Sequence, residues 1–200
     1  MIFTQLPTNN YRVILASSSE TRIKYLRKFF PNFISEKHQI NEKKYKCEKE
    51  TPQIMAKNLA KYKAKSIQDK YSADIIIGSD QLLECNKVII SKPETLDEAK
   101  KNLLFLKNKV HFLYSATYAI KDKKYYFSQT KKAEIFFKNI SEKNLTNYIS
   151  NNKKTVLTTV GSYKIEENNK FNFIEVISGD RETIIGFPLK DLVRKISANG

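Results

Sequence analysis

Two short stretches of this chain have no polar face. Val13-Ile14-Leu15-Ala16 and Ile75-Ile76-Ile77 are continuously apolar rather than alternating, so each predicts a strand covered by other structure. The first stops at Ser17-Ser18-Ser19, and Glu20 to Phe30 then places Ile23, Leu26, Arg27 and Phe30 at helical spacing, with Pro31 just beyond. The second is expected over Ala73 to Gly78 and is followed by Ser79-Asp80-Gln81. Between them, Thr51-Pro52 reads as an N-cap with proline at the first helical position, and Met55, Leu59, Tyr62 and Ser66 follow on one face.

The rest of the chain continues the mixture. Leu82–Glu84 and Val88–Ile90 flank Cys85-Asn86-Lys87, a hairpin turn. Thr95-Leu96-Asp97-Glu98 is a capping box opening a helix through Leu103 and Leu106. Val110–Ile120 and Lys124–Phe137 read as long strands joined around Lys121-Asp122-Lys123. Ser141 opens a short helix towards Tyr148, a strand is expected around Phe173–Ile177, and Pro188 starts a closing helix. Strands and helices in this order predict an α/β fold with a mixed sheet.

The 200 residues suit one domain or two closely joined lobes. No repeat or linker divides them, so residues 1–200 are expected to form a single domain with a short extension over 1–10. At 40% hydrophobic, the chain has enough apolar material for a core, which excludes wholesale disorder and a disulfide-stapled scaffold. No apolar run approaches the ~20 residues that span a bilayer, and Met1-Ile2-Phe3-Thr4-Gln5 lacks the features of a secretion signal. A cytosolic protein is expected. Cys47, Cys85, His38 and His111 stand apart from one another, so no zinc site is expected.

The net charge of +15 at first suggests a polyanion partner. However, 31 of the 36 basic residues are lysine; Asn (17) and Ile (22) are abundant and Gly (5) is scarce. Lys, Asn and Ile have A/T-rich codons, so genomic bias alone raises the lysine count. Nucleic-acid readers favour arginine for bidentate contacts. The charge therefore reads mainly as solvated surface.

Several constellations can carry chemistry. After the first strand, Ser17-Ser18-Ser19 and Arg22 offer hydroxyls, free helix-start N–H groups and a planar guanidinium to a phosphate. The plain alternative makes Ser19 an N-cap and Arg22 a surface residue. Asp80, in Gly78-Ser79-Asp80-Gln81, stands where strand ends in α/β sheets hold ligands, and it can bind a metal or orient water. An Asx turn is the alternative. Ser91-Lys92-Pro93, the pair Glu42 and Lys63, and Tyr163-Lys164-Ile165-Glu166-Glu167 are each weak alone.

Together these residues resemble a known family. Ile14-Leu15-Ala16-Ser17-Ser18-Ser19 with Arg22 and Leu26, Gly78-Ser79-Asp80-Gln81, Ser91-Lys92-Pro93, Val160-Gly161-Ser162-Tyr163 and Gly186-Phe187-Pro188-Leu189 are similar, in order and spacing, to the Maf family of nucleoside triphosphate pyrophosphatases. The resemblance runs from about residue 12 to 196. It implies an elongated, two-lobed α/β fold around a long mixed sheet (the inosine triphosphatase-like type), often dimeric, so a homodimer is expected as a possibility. It also implies attack of water on the α-phosphate of a nucleoside triphosphate, releasing the monophosphate and pyrophosphate with a divalent cation, Mg²⁺ or Mn²⁺.

By that resemblance, Asp80 is the proton acceptor, Lys63 and Lys92 are site lysines facing the leaving pyrophosphate, Ser17 and Arg22 hold phosphates, and Glu42 shares the metal with Asp80. Thr21, Gln81 and Glu166 occupy the positions that separate base preferences. The pyrimidine branch has Arg, Thr and Gln there, so Thr21, Gln81 and Glu166 are nearer the branch acting on 7-methyl-GTP. A carboxylate at Glu166 can accept from a guanine's N1–H and N2–H₂, whereas uracil or thymine sets carbonyl acceptors against it. The family's usual Pro-Arg-Arg is here Glu20-Thr21-Arg22, one basic residue fewer. The expected partner is thus a nucleotide, with neither nucleic acid nor membrane. Two alternatives remain: a basic nucleic-acid-binding module, and a non-catalytic regulator of septum formation, against which the retained Asp80, Lys63 and Lys92 argue.

Overall fold

The structure, a computed structural model, describes residues 12–45 and 50–198; the expected extension over residues 1–10, and Cys47, lie outside them. In chain order the elements are β1 (Val13–Ala16), α1 (Glu20–Leu26), β2 (Ile34–Glu36), α2 (Pro52–Lys65), β3 (Ile75–Cys85), β4 (Val88–Ile90) and α3 (Leu96–Leu106). There follow β5 (Lys109–Lys121), β6 (Lys124–Phe137), α4 (Glu142–Asn151), α5 (Lys153–Thr158), α6 (Asn168–Phe171), β7 (Ile174–Ser178), α7 (Arg181–Ile184) and α8 (Lys190–Ala198). Among the described residues seven strands form one mixed sheet in the order β2-β1-β3-β5-β6-β7, with β4 on β3. The α/β architecture is that expected from the sequence.

The chain divides into two compact units. One is built from residues up to Asp80, Ser115–Lys131 and Gly186 onward; the other is Gln81–Tyr114 with Lys132–Ile185. In the first unit β1 pairs in parallel with both β2 and β3. Its core joins Val13, Leu15, Leu26, Ile75, Ile77, Phe187, Leu189, Leu192 and Ile196. Val13 to Ala16 are all buried, as an unbroken apolar strand requires. Helix α1 is shorter than its periodicity predicts. Beyond Leu26 the hydrogen bonds tighten, with Lys28 N to Tyr25 O at 3.2 Å and Phe29 N to Leu26 O at 3.0 Å, a one-turn finish that ends the helix early.

Helix α2 begins as expected, with the Thr51 side chain accepting from Ile54 N and Pro52 in the first turn. Its buried face holds Met55 and Leu59 as expected, but continues through Lys63 and Ala64 rather than Tyr62 and Ser66. Met55, Ala56, Leu59, Ala60, Lys63 and Ala64 are buried, and Ser66 is the C-cap. The three alanines make a shallow stripe, and Gly78 of β3 lies against it: a Cβ there would sit 2.1 Å from Ala60 O and 2.7 Å from Ala64 N. Strand and helix backbones touch, and only glycine permits it.

The strand expected to end at Gly78 instead continues to Cys85. Ser79 does not break it because its buried hydroxyl lies 2.8 Å from Ala116 O and 3.0 Å from Gly186 O. A satisfied polar side chain needs no exit to water. The Asx-turn reading of this segment is therefore overturned.

In the second unit, the β3–β4 hairpin turns at Asn86 and Lys87, both at positive φ (51° and 64°), the conformation of a two-residue I′ turn. Thr95 and Ser141 cap α3 and α4 as expected. The short helices α5, α6 and α7 of this unit, like the short strand β2 of the first, are not among the elements expected from the sequence. The core gathers Leu83, Leu103, Leu106, Leu113, Ile135, Phe137, Tyr148 and Phe173. His111 is fully buried, with Nε2 2.6 Å from Tyr163 Oη, and burial pushes its pKa down to about 4, so the imidazole is neutral at pH 7. No helix among the described residues is long and apolar enough to cross a membrane.

Candidate active site

Six of the expected residues lie in the first unit: Ser17 just after β1, Thr21 and Arg22 in α1, Glu42 opening a 3-10 turn, Lys63 in α2 and Asp80 in β3. The close contact of Gly78 with α2 sets where Lys63 meets Asp80. Two residues past Gly78, on the same face of the strand, Asp80 points where α2 delivers Lys63. Lys63 Nζ lies 2.5 Å from Asp80 Oδ1 and 2.9 Å from Glu42 Oε1. Lys63 and Asp80 are only 4% and 5% exposed. A buried ammonium is tolerated only with such partners, and here it bridges two carboxylates.

Glu42 is held by a residue that the sequence did not single out. His38 Nε2 lies 3.2 Å from Glu42 Oε1. That hydrogen bond, followed by the charge of Lys63, holds the Glu42 carboxyl well below the usual carboxylate range. The carboxylate is therefore ionised throughout the neutral range. His38 and Glu42 are four residues apart, but outside a helical pattern that spacing carries no signal.

The Arg22 guanidinium is held in part by backbone carbonyls. Its Nε donates to Gly186 O (3.1 Å) and its Nη1 to Ser79 O (2.7 Å). Burial lowers the guanidinium pKa, while Asp80 and Glu42 oppose that shift by their charge. Two of its five N–H groups therefore lock α1 to the backbone of β3 and to the Gly186 turn. Pro188 O in turn accepts from Thr117 Oγ1 at 2.6 Å and Gln129 Nε2 at 2.8 Å. The Gly186-Phe187-Pro188-Leu189 block is thus a hub of backbone acceptors, with Gly186 at φ 85°. Ser17 is buried and its hydroxyl accepts from Ser19 N at 3.1 Å. Thr21, on α1, is half-buried.

The other expected residues belong to the second unit. Gln81 Nε2 donates to Thr183 O and Ile184 O, both at 3.0 Å, so its amide is anchored to backbone. Lys92 is exposed between β4 and α3. Glu166 is exposed in a short 3-10 turn, Ile165–Glu167. Its neighbour Glu167 is the anchored carboxylate of that turn, accepting from Tyr148 Oη at 2.5 Å and Thr155 Oγ1 at 2.9 Å.

The carboxylates that could hold a divalent cation here are Glu42 and Asp80, which share Lys63. Among the described residues no group of three or more His, Cys, Asp or Glu side chains gathers. Two hard carboxylates do not make an all-protein cage, but they suit Mg²⁺, which keeps waters and completes its shell with substrate phosphates.

In this mixed α/β fold the Lys63 ammonium of α2 is buried between the Asp80 carboxylate of β3 and the partly exposed Glu42 carboxylate of the 3-10 turn, an arrangement with the charges that a polyanionic ligand and its counter-cation could use. Residues 12–199 match the family described as Maf-like protein, and the chain belongs to that family. It is 32% identical over 191 residues to the nucleoside triphosphate pyrophosphatase of Paramagnetospirillum magneticum, covering 94% of this chain and 98% of that protein. It is 33% identical to the 7-methyl-GTP pyrophosphatase of Bartonella quintana (92% and 93% covered). It is 30% identical to the dTTP/UTP pyrophosphatase of Acholeplasma laidlawii (92% and 94% covered).

Proposed function

We propose that this chain is a nucleoside triphosphate pyrophosphatase, a hydrolase of phosphorus-containing anhydrides, acting on a modified or non-canonical nucleotide. The observation that carries the reading is the bridge Glu42–Lys63–Asp80, in which the Lys63 ammonium and the Asp80 carboxylate are buried and Glu42 is partly exposed. Its residue types are those phosphoryl transfer needs, where catalysis is positioning plus charge stabilisation.

In this reading Asp80 accepts a proton from water as the water oxygen attacks the α-phosphorus. The bond from that phosphorus to the bridging oxygen breaks, and pyrophosphate leaves with its electron pair. Lys63 keeps the Asp80 carboxylate oriented and places a positive charge beside the reacting phosphates. Glu42 and Asp80 would hold a Mg²⁺ or Mn²⁺ ion, which supplies Lewis acidity and charge neutralisation when bound. Ser17 and the remaining Arg22 N–H groups serve the phosphates. Lys92 neutralises leaving-group charge, a role that rests on the resemblance alone.

Base choice rests on Thr21, Gln81 and Glu166. Glu167, tied to α4 and α5, fixes the turn that presents Glu166. A carboxylate set against uracil or thymine carbonyls leaves acceptors facing acceptors, worth about 1–3 kcal/mol. Across a panel of 7-methyl-GTP, dTTP, UTP and CTP, kcat/KM for 7-methyl-GTP is therefore expected to exceed that for dTTP and UTP by roughly 10- to 100-fold. A preference for UTP or dTTP would contradict the role given to Glu166.

A further inference from the structure

His38 joins the Glu42–Lys63 contact through one ring nitrogen. Its side chain is 16% exposed, and among the described residues its polar contact is Nε2 to Glu42 Oε1, 3.2 Å. Its Nδ1 is buried and finds no hydrogen-bond partner among the described residues. Buried polar atoms are normally paired, so the ring is held in place at the expense of one nitrogen.

Nor is the ring needed to fasten its own loop. The adjacent backbone is already tied down: Gln39 N donates to Ser66 Oγ at 3.1 Å, and Ser66 Oγ donates to Lys63 O at 2.8 Å. That link joins the loop to the same turn of α2 that carries Lys63. What the imidazole adds is one N–H directed at Oε1 of Glu42, the oxygen that Lys63 Nζ also holds at 2.9 Å. Oε2 takes part in neither contact, and the Glu42 side chain keeps 41% of its exposure.

We propose that His38 is a positioning residue for Glu42: together with Lys63 it pins Oε1, so that Oε2 is the oxygen offered to a divalent cation arriving with the nucleotide. This rests on the pyrophosphatase reading and adds to it a residue outside the expected site. A donor that orients a metal-binding carboxylate typically changes metal affinity by about 10- to 100-fold when removed. Its effect falls on metal occupancy rather than on the chemical step.

The test compares His38→Phe, which keeps a ring but loses the donor, with His38→Gln, whose amide N–H can reach Glu42 from nearly the same place. Mn²⁺ binding is read by electron paramagnetic resonance with an α,β-methylene triphosphate, and turnover is titrated with Mn²⁺ alongside. His38→Phe is expected to weaken Mn²⁺ binding about 10-fold or more and to raise the Mn²⁺ needed for half-maximal turnover equally, with kcat at saturating metal within about 2-fold of the parent. His38→Gln is expected to recover most of the loss. Parent-like Mn²⁺ binding in His38→Phe, or equal impairment in both variants, overturns the positioning role. If the parent protein itself neither binds Mn²⁺ with the nucleotide nor hydrolyses a triphosphate, the pyrophosphatase reading fails instead.

Discussion

Asp80→Asn should yield a folded protein that still binds nucleotide but releases pyrophosphate some 10²- to 10⁴-fold more slowly. The amide oxygen of asparagine can still accept from Lys63 Nζ, which lies 2.5 Å from Asp80 Oδ1, so the bridge loses a charge rather than a hydrogen bond. What disappears is the basic oxygen: an amide cannot take a proton from water at neutral pH, and it is a poorer ligand for Mg²⁺. The loss corresponds to about 3–5 kcal/mol of transition-state stabilisation. Steady-state kinetics, with circular dichroism and a nucleotide-binding titration on the same preparation, separates lost chemistry from lost structure. Turnover within about 10-fold of the parent, in a folded variant, would remove Asp80 from the role of proton acceptor.

Gly78→Ala should have the largest effect on structure. The new methyl would meet backbone, Ala60 O at 2.1 Å and Ala64 N at 2.7 Å, and backbone cannot rotate aside. The cheapest response is to push α2 away from β3 by roughly 1 Å, at about 1–3 kcal/mol or more of overpacking strain. The same displacement carries Lys63 away from Asp80, and a 1 Å misplacement of a reacting group costs on the order of 10²-fold in rate. Urea unfolding and kcat/KM are therefore expected to fall together. Ala60→Gly in the same chain should not rescue either, because the obstructing atom at position 60 is a carbonyl oxygen and not the side chain. A Gly78→Ala protein with parental stability and rate would contradict the close-approach account of this glycine.

The parts of the fold that were legible beforehand are those fixed by local chemistry. The Thr51, Thr95 and Ser141 caps work through N–H groups a few residues away, and the two-residue turns at Asn86-Lys87 and Asp122-Lys123 need only residues that tolerate positive φ. The features that the sequence does not display have distant causes. Strand β3 passes through Ser79 and Asp80 because their partners come from Ala116, Gly186 and Lys63. Arg22 reads as a free phosphate fork until the carbonyls of Ser79 and Gly186 appear beside it. His38 was invisible because its value lies in a contact to Glu42 across irregular backbone. The lysine count concealed a similar distinction: of 31 lysines, Lys63 is set apart by burial between two carboxylates, not by its neighbours in sequence.

The central claim, hydrolysis at the α-phosphate, is tested most directly by following a nucleoside triphosphate and Mg²⁺ with phosphorus NMR in isotopically labelled water. The expected products are the nucleoside monophosphate and pyrophosphate, with the water's oxygen in the monophosphate. Nucleoside diphosphate with orthophosphate, label in the pyrophosphate, or no turnover of any triphosphate in the panel would contradict it.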